Sequence, residues 1–155
     1  MQSSVVMPPV VSRILLPVDG SEHARRAAEA AIQIASEYKA SLLIVSVVSP
    51  PAFFISGPVG APADLTDYYR LETEDASSAV NSVAELAKQA GVSVTSQILR
   101  PGKSVVEAIV EFASDEKVDL IVIGTRGLGG FRKMLLGSVS SGVISHAHCS
   151  VLVVR

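Results

Sequence analysis

Apolar positions along the chain follow two alternating periods. Residues 13–18 (RILLPV) form a short apolar run, the pattern of a strand buried on both faces. From residue 21 to 38 apolar residues recur at Ala24, Ala27, Ala28, Ala31, Ala35 and Tyr38. Spacings of three and four draw one helix face, and Ser21 is placed to cap it. Residues 41–48 (SLLIVSVV) read as a second strand. The pattern then breaks over 50–62, which holds four of the eight prolines and two of the eleven glycines. That is a long loop for a compact domain. Helical spacing returns over 65–90, with Gly91 placed as a C′ residue. Residues 92–99 make a more polar third strand, suited to a sheet edge. A capping box, Ser104 with Glu107, opens a helix over 104–116. Residues 119–123 (DLIVI) are the most buried-looking strand. A glycine-rich loop follows over 124–137, then a short helix over 138–146 and a last strand over 150–154. The order βαβ, long loop, αβαβαβ predicts an α/β fold, a parallel sheet with helices on both faces.

Composition narrows the class. A chain of 155 residues is read as one domain over 12–155, behind a disordered tail over 1–11. Apolar residues at 48% and charged residues at 18% exclude intrinsic disorder of the whole. A net charge of −2 and pI near 5.9 argue against a broadly basic nucleic-acid surface, so no nucleic-acid partner is expected. Mean hydropathy is +0.43, which raises the question of a membrane span. The longest candidate, 42–48, is broken by Ser46, and no run approaches the ~18 residues a span needs. No membrane association is expected. The first residues lack a basic start and are interrupted by Pro8 and Pro9, unlike a signal peptide. The single cysteine, Cys149, excludes a disulfide within the chain and fits a cytoplasmic location.

Chemistry concentrates in one segment. Residues 124–137 read GTRGLGGFRKMLLG, with glycine at 124, 127, 129, 130 and 137, and Ser138 follows. Glycine lets a ligand approach the main chain closely. The segment leaves a buried strand and enters a helix N-terminus, where amide groups and the helix dipole favour an anion. Arg126, Arg132 and Lys133 add positive charge, and Ser138 a hydroxyl at the cap. These features suit phosphate groups; an ordinary strand-to-helix turn with glycines is the competing reading. Gly102-Lys103-Ser104 mimics the end of a Walker loop, but Gln97 stands where its first glycine belongs. Gly127, Gly129 and Arg132 miss the dinucleotide fingerprint at its third glycine. His146, His148 and Cys149 lack zinc spacing, and Cys149 before a buried strand reads as a small apolar packer. Phe53, Phe54 and Ile55 suit a lid, a partner contact or packing over the second helix. The acidic stretch 64–75 reads as a solvated helix face.

The spacing Gly124-x2-Gly127-x9-Gly137-Ser138 resembles the ATP-binding signature of the universal stress protein family. Residues 13–21 (RILLPVDGS), 40–49, 119–125 (DLIVIGT) and 149–155 (CSVLVVR) resemble its first, second, fourth and fifth strands. The resemblance covers nearly all of 12–155. His148 and Ser150 depart from it, standing where members often carry proline, and the loop 50–63 is longer and more apolar than usual. The resemblance implies an open five-stranded parallel sheet of order 3-2-1-4-5 with helices on both faces. Strands 1 and 4 then flank a topological switch point, where ligands sit beyond the strand ends. It implies an ATP-binding regulatory stress-response protein, a nucleotide-dependent switch with at most slow hydrolysis. ATP would come with Mg2+ or Mn2+. Pro17 and Val47 would line the adenosine side, Val47 reading adenine through its backbone. Asp19 would lie by the ribose and hold the phosphate-bound metal, although a turn before a helix also suits it. Phosphates would meet Gly124, Thr125, Arg126, Gly127, Leu128, Gly129 and Gly130, then Gly137, Ser138, Val139 and Ser140. An ATPase or a nucleotide-free scaffold on the same fold are the alternatives. The last strand, apolar and without internal lysine or proline, would be an edge that pairs with a second copy in a homodimer. An unknown protein partner would read the switch.

Overall fold

The structure, a computed structural model, describes residues 11–50, 65–126 and 136–155. Strands β1 (Arg13–Pro17), β2 (Ser41–Val47), β3 (Val94–Leu99), β4 (Leu120–Gly124) and β5 (Ser150–Val154) form one sheet of order β3-β2-β1-β4-β5. Every pairing is parallel. The helices among the described residues are α1 (Glu22–Tyr38), α2 (Thr66–Gln89), α3 (Val105–Asp115) and α4 (Ser138–His146). The doubly wound fold expected from the alternating periods is therefore present.

Period-two alternation divides the core between the two sheet faces. Ile14 and Leu16 of β1, Leu42 and Ile44 of β2 and Val122 of β4 point toward α1 and α2. Leu15, Leu43, Val45, Ile121 and Ile123 point the other way, toward α3 and α4. The three central strands thus read as continuous apolar runs because both faces are covered. On α1 the buried face is Ala24, Ala27, Ala28, Ala31 and Ala35, small side chains that seat the helix close to the sheet. Tyr38 does not continue that face. It is 57% exposed, and Lys39 after it turns left-handed (φ 54°) to end the helix.

The caps follow the sequence closely. Ser21 Oγ accepts from Ala24 N at 3.1 Å, and Ser104 Oγ from Glu107 N at 3.0 Å. The other half of the expected box is replaced by an ion pair, with Glu107 lying 3.6 Å from Lys103 Nζ. Gly91 takes φ +77°, as its place after α2 requires. The α4 cap differs from expectation: it is Gly137, and Ser138 is the first helical residue. The third strand is an edge, and its centre, Thr95 to Gln97, is exposed.

At the opposite end of the sheet from the glycine-rich segment, Asp119 fastens the start of β1. Its Oδ2 accepts from Ser12 N, Ser12 Oγ and Arg13 N at 2.8, 2.7 and 2.8 Å. Burial pushes this carboxyl up, but the Ser12 and Arg13 donors and the Arg13 charge outweigh it and hold it below its ordinary value. Val11, placed in the tail by the sequence, already packs against the core. Residues 1–10, the loop segment 51–64 with Phe53, Phe54 and Ile55, and residues 127–135 lie outside the described residues.

Candidate functional site

The crevice arises from unequal ladder lengths. β1 pairs with β2 as far as Pro17↔Val45, and β4 with β5 as far as Gly124↔Val154. Between β1 and β4 the register runs only over Ile14↔Leu120 and Leu15↔Ile121. The two central strands therefore part before they end. Chain connections also reverse direction there, the place where open α/β sheets take their ligands.

Two helix starts are bolted to the end of β4. Gly124 faces the first turn of α1 so closely that a Cβ would lie 2.7 Å from the His23 carbonyl carbon and oxygen. Thr125, 4% exposed, has Oγ1 3.1 Å from His23 Nδ1. On the α4 side, Ser140 Oγ donates to the Gly124 carbonyl at 2.6 Å, with the Thr125 carbonyl at 3.2 Å. Gly137 N donates to that same Thr125 carbonyl at 2.6 Å. Thr125 and Gly137, twelve positions apart in sequence, thus meet at one hydrogen-bonded neck.

The neck presents main-chain donors. The first bond inside α4 runs from Ser141 N to the Gly137 carbonyl. The amides of Ser138, Val139 and Ser140 precede it and have no acceptor within the helix. Gly137 brings no side chain to cap them. Ser138 is exposed, Val139 packs inward, and the buried Ser140 hydroxyl serves the β4 carbonyls. Arg126 is half-buried beside Gly137, whose Cβ position lies 3.4 Å from its Cα. Gly127, Leu128, Gly129 and Gly130, expected to contact phosphate, lie outside the described residues, as do Arg132 and Lys133.

On the other bank, Pro17 ends β1. Asp19 Oδ1 accepts from Ser21 N at 2.9 Å, and Gly20 between them takes φ +81°. Asp19 therefore shapes the turn into α1, the role that Asp-Gly-Ser suits by itself. Val47 lies one period beyond Val45, whose carbonyl accepts from Val18 N at 2.8 Å. Backbone groups two residues apart face the same way, so Val47 turns its own N–H and C=O toward β1, past the last β1–β2 register pair. Of the expected residues, the structure gathers Gly124, Thr125, Arg126, Gly137, Ser138, Val139 and Ser140 at the neck. Pro17 and Asp19 stand across the crevice, and Val47 stands one strand further.

Sequence reasoning missed His23, whose place is visible only once β4 lies beside α1. It also missed the inward turn of the Ser140 hydroxyl. The groups set aside sit elsewhere. His146 Nδ1 lies 2.8 Å from the Gly142 carbonyl one turn back. Burial, with Asp119 nearby, pushes the Cys149 thiol up, away from a reactive thiolate. Among the described residues no group of three or more His, Cys, Asp or Glu is arranged to hold a metal. None of the helices described is long and apolar enough to cross a membrane.

A parallel sheet covered by helices on both faces, whose strands β1 and β4 part at the switch point, defines the class of doubly wound α/β domains. Residues 11–155 match the family model for the universal stress protein family, and the chain belongs to that family. A universal stress protein from Methanocaldococcus jannaschii, MJ0531, is 40% identical over 145 residues, covering 92% of this chain and 81% of that protein. The solved structure of UspA from Lactobacillus plantarum superposes with TM-score 0.81 at 27% identity, over 94% of this chain and 98% of its own. A universal stress protein crystallised in complex with cAMP superposes with TM-score 0.70 at 29% identity, over 94% of this chain and 98% of its own.

Proposed function

We propose that this chain binds ATP in the crevice between β1 and β4 and works as a nucleotide-dependent regulatory protein of the stress response. The observation that carries the reading is the neck: the Thr125 carbonyl gathers Gly137 N, and the amides of Ser138, Val139 and Ser140 stand at the start of α4 without an acceptor inside the helix or a side-chain cap. Such amides, with the dipole of α4 behind them, stabilise phosphate oxygens. A related protein of the same fold takes an adenine nucleotide, cAMP.

In this reading Gly124 to Gly130 and Gly137 to Ser140 hold the phosphates, Arg126 supplies charge, and Pro17 and Val47 line the adenosine. Val47 suits the base because its main chain faces the side where the β1 ladder has ended. Asp19 offers one carboxylate, which fits Mg2+ or Mn2+. Mg2+ is usually held by one or two carboxylates, phosphate oxygens and water rather than by a full protein cage. The metal would screen the phosphate charge. No lysine stands at a Walker position, so transfer of the terminal phosphoryl group lacks its usual clamp. Turnover is expected below about 1 s⁻¹, the low end of ordinary enzymes. Protein working in the cytoplasm would couple its nucleotide occupancy to a partner or a second copy.

Denaturing the purified protein and identifying the released nucleotide tests the reading first; ATP is expected. Calorimetry should then give a micromolar or tighter Kd, abolished by Gly127→Val with Gly137→Val. Equal affinity in the wild type and the double variant would refute the site.

A further inference from the structure

We propose that His23 is a positioning residue of the nucleotide site, holding Thr125 and through it the neck of the glycine-rich segment. The inference deepens the ATP reading above and rests on it. Thr125 is 4% exposed and meets three elements. Its N–H donates to the Val154 carbonyl of β5 at 3.0 Å, and its own carbonyl accepts from Gly137 N at 2.6 Å. Its hydroxyl lies 3.1 Å from His23 Nδ1 in the first turn of α1. A buried hydroxyl must find a partner, and this imidazole nitrogen supplies it. Threonine is also stiff about χ1, so fixing Oγ1 fixes the peptide that carries the neck. The absent side chain at Gly124 makes the contact reachable: with a Cβ 2.7 Å from the His23 carbonyl carbon, α1 would be pushed off the end of β4. His23 thus acts on the ligand through Thr125, without touching it.

Side-chain geometry gives a selective test. The amide of asparagine can overlay Nδ1, whereas that of glutamine overlays Nε2 and misses Thr125. Titrating Mg-ATP into His23→Ala and His23→Gln should show Kd raised about fivefold, the worth of one neutral hydrogen bond. His23→Asn should stay within about twofold of wild type by the same measure. In nucleotide-free protein the Gly137 amide should exchange with solvent faster in His23→Ala and in Thr125→Val than in wild type or His23→Asn. Equal Kd across the His23 series, or Gln restoring what Asn does not, overturns the proposal while leaving the ATP reading standing. Unchanged Gly137 exchange in His23→Ala overturns it whatever the wild type binds. A wild type that takes up no ATP fails the parent reading instead.

Discussion

At Asp119 one carboxylate oxygen draws in three donors from Ser12 and Arg13. Each hydrogen bond to a charged group is worth roughly 1.5–3 kcal/mol, less where solvent competes, as it does at this half-buried site. Asp119→Ala is therefore expected to cost about 2 kcal/mol at neutral pH, lowering Tm by about 4–8 °C in a thermal melt. The pH dependence has a definite sign. A carboxyl held below its unfolded value binds fewer protons when folded, so its contribution is full above the unfolded value and is lost as pH falls through the folded one. Wild type and Asp119→Ala should accordingly converge in stability as the medium is acidified below about pH 4. Convergence on raising the pH instead would contradict the clamp. None of this was visible in the sequence, where Asp119 reads only as the start of a strand. Its partners stand more than a hundred residues earlier, as His23 stands before Thr125.

Elements were more legible than contacts. The strands of the core were readable because burial on both faces demands unbroken apolar runs, and α1 because alanines recur on one face. Ser21, Gly91 and Ser104 marked helix ends, since caps are local chemistry. Tyr38 was misread because periodicity cannot tell that a helix has run past the sheet it covers. The α4 cap was assigned one residue late because serine is the commoner cap and glycine at 137 was read only as a ligand approach. Gly142, inside α4, carried an unread signal. A Cβ there would meet Val106 Cγ2 at 2.6 Å and Cγ1 at 3.0 Å, so glycine lets α3 and α4 touch. Alanine would gain about 1 kcal/mol of helix propensity but incur overpacking of about 1–3 kcal/mol. Gly142→Ala should lose about 1 kcal/mol in denaturant unfolding on that balance, and adding Val106→Ala should recover much of it. A stabilised single variant would show that the helices separate freely.

For the whole molecule the sheet order, expected from the resemblance and present in the structure, puts the parting of β1 and β4 at the switch point, a property of the chain's plan rather than of side-chain neighbours. The same plan leaves β5 at an edge. Its Leu152 is 38% exposed, an apolar residue on a strand with no charge inside it to discourage pairing. We expect a two-fold dimer across β5, seen by light scattering at micromolar concentration and dissociated by Leu152→Lys. A wild-type monomer at high micromolar concentration would exclude it.

Thr125 touches this edge as well as the neck, its N–H donating to the Val154 carbonyl and its own carbonyl accepting from Gly137 N. Two successive peptide planes, joined at the Thr125 Cα, thus link the proposed nucleotide site to the edge where a second copy is expected. Thermodynamic reciprocity then applies: whatever factor by which a bound nucleotide tightens the pairing of two chains, pairing must tighten the hold on nucleotide by the same factor. Titrations done at low and high protein concentration would read that number from both directions.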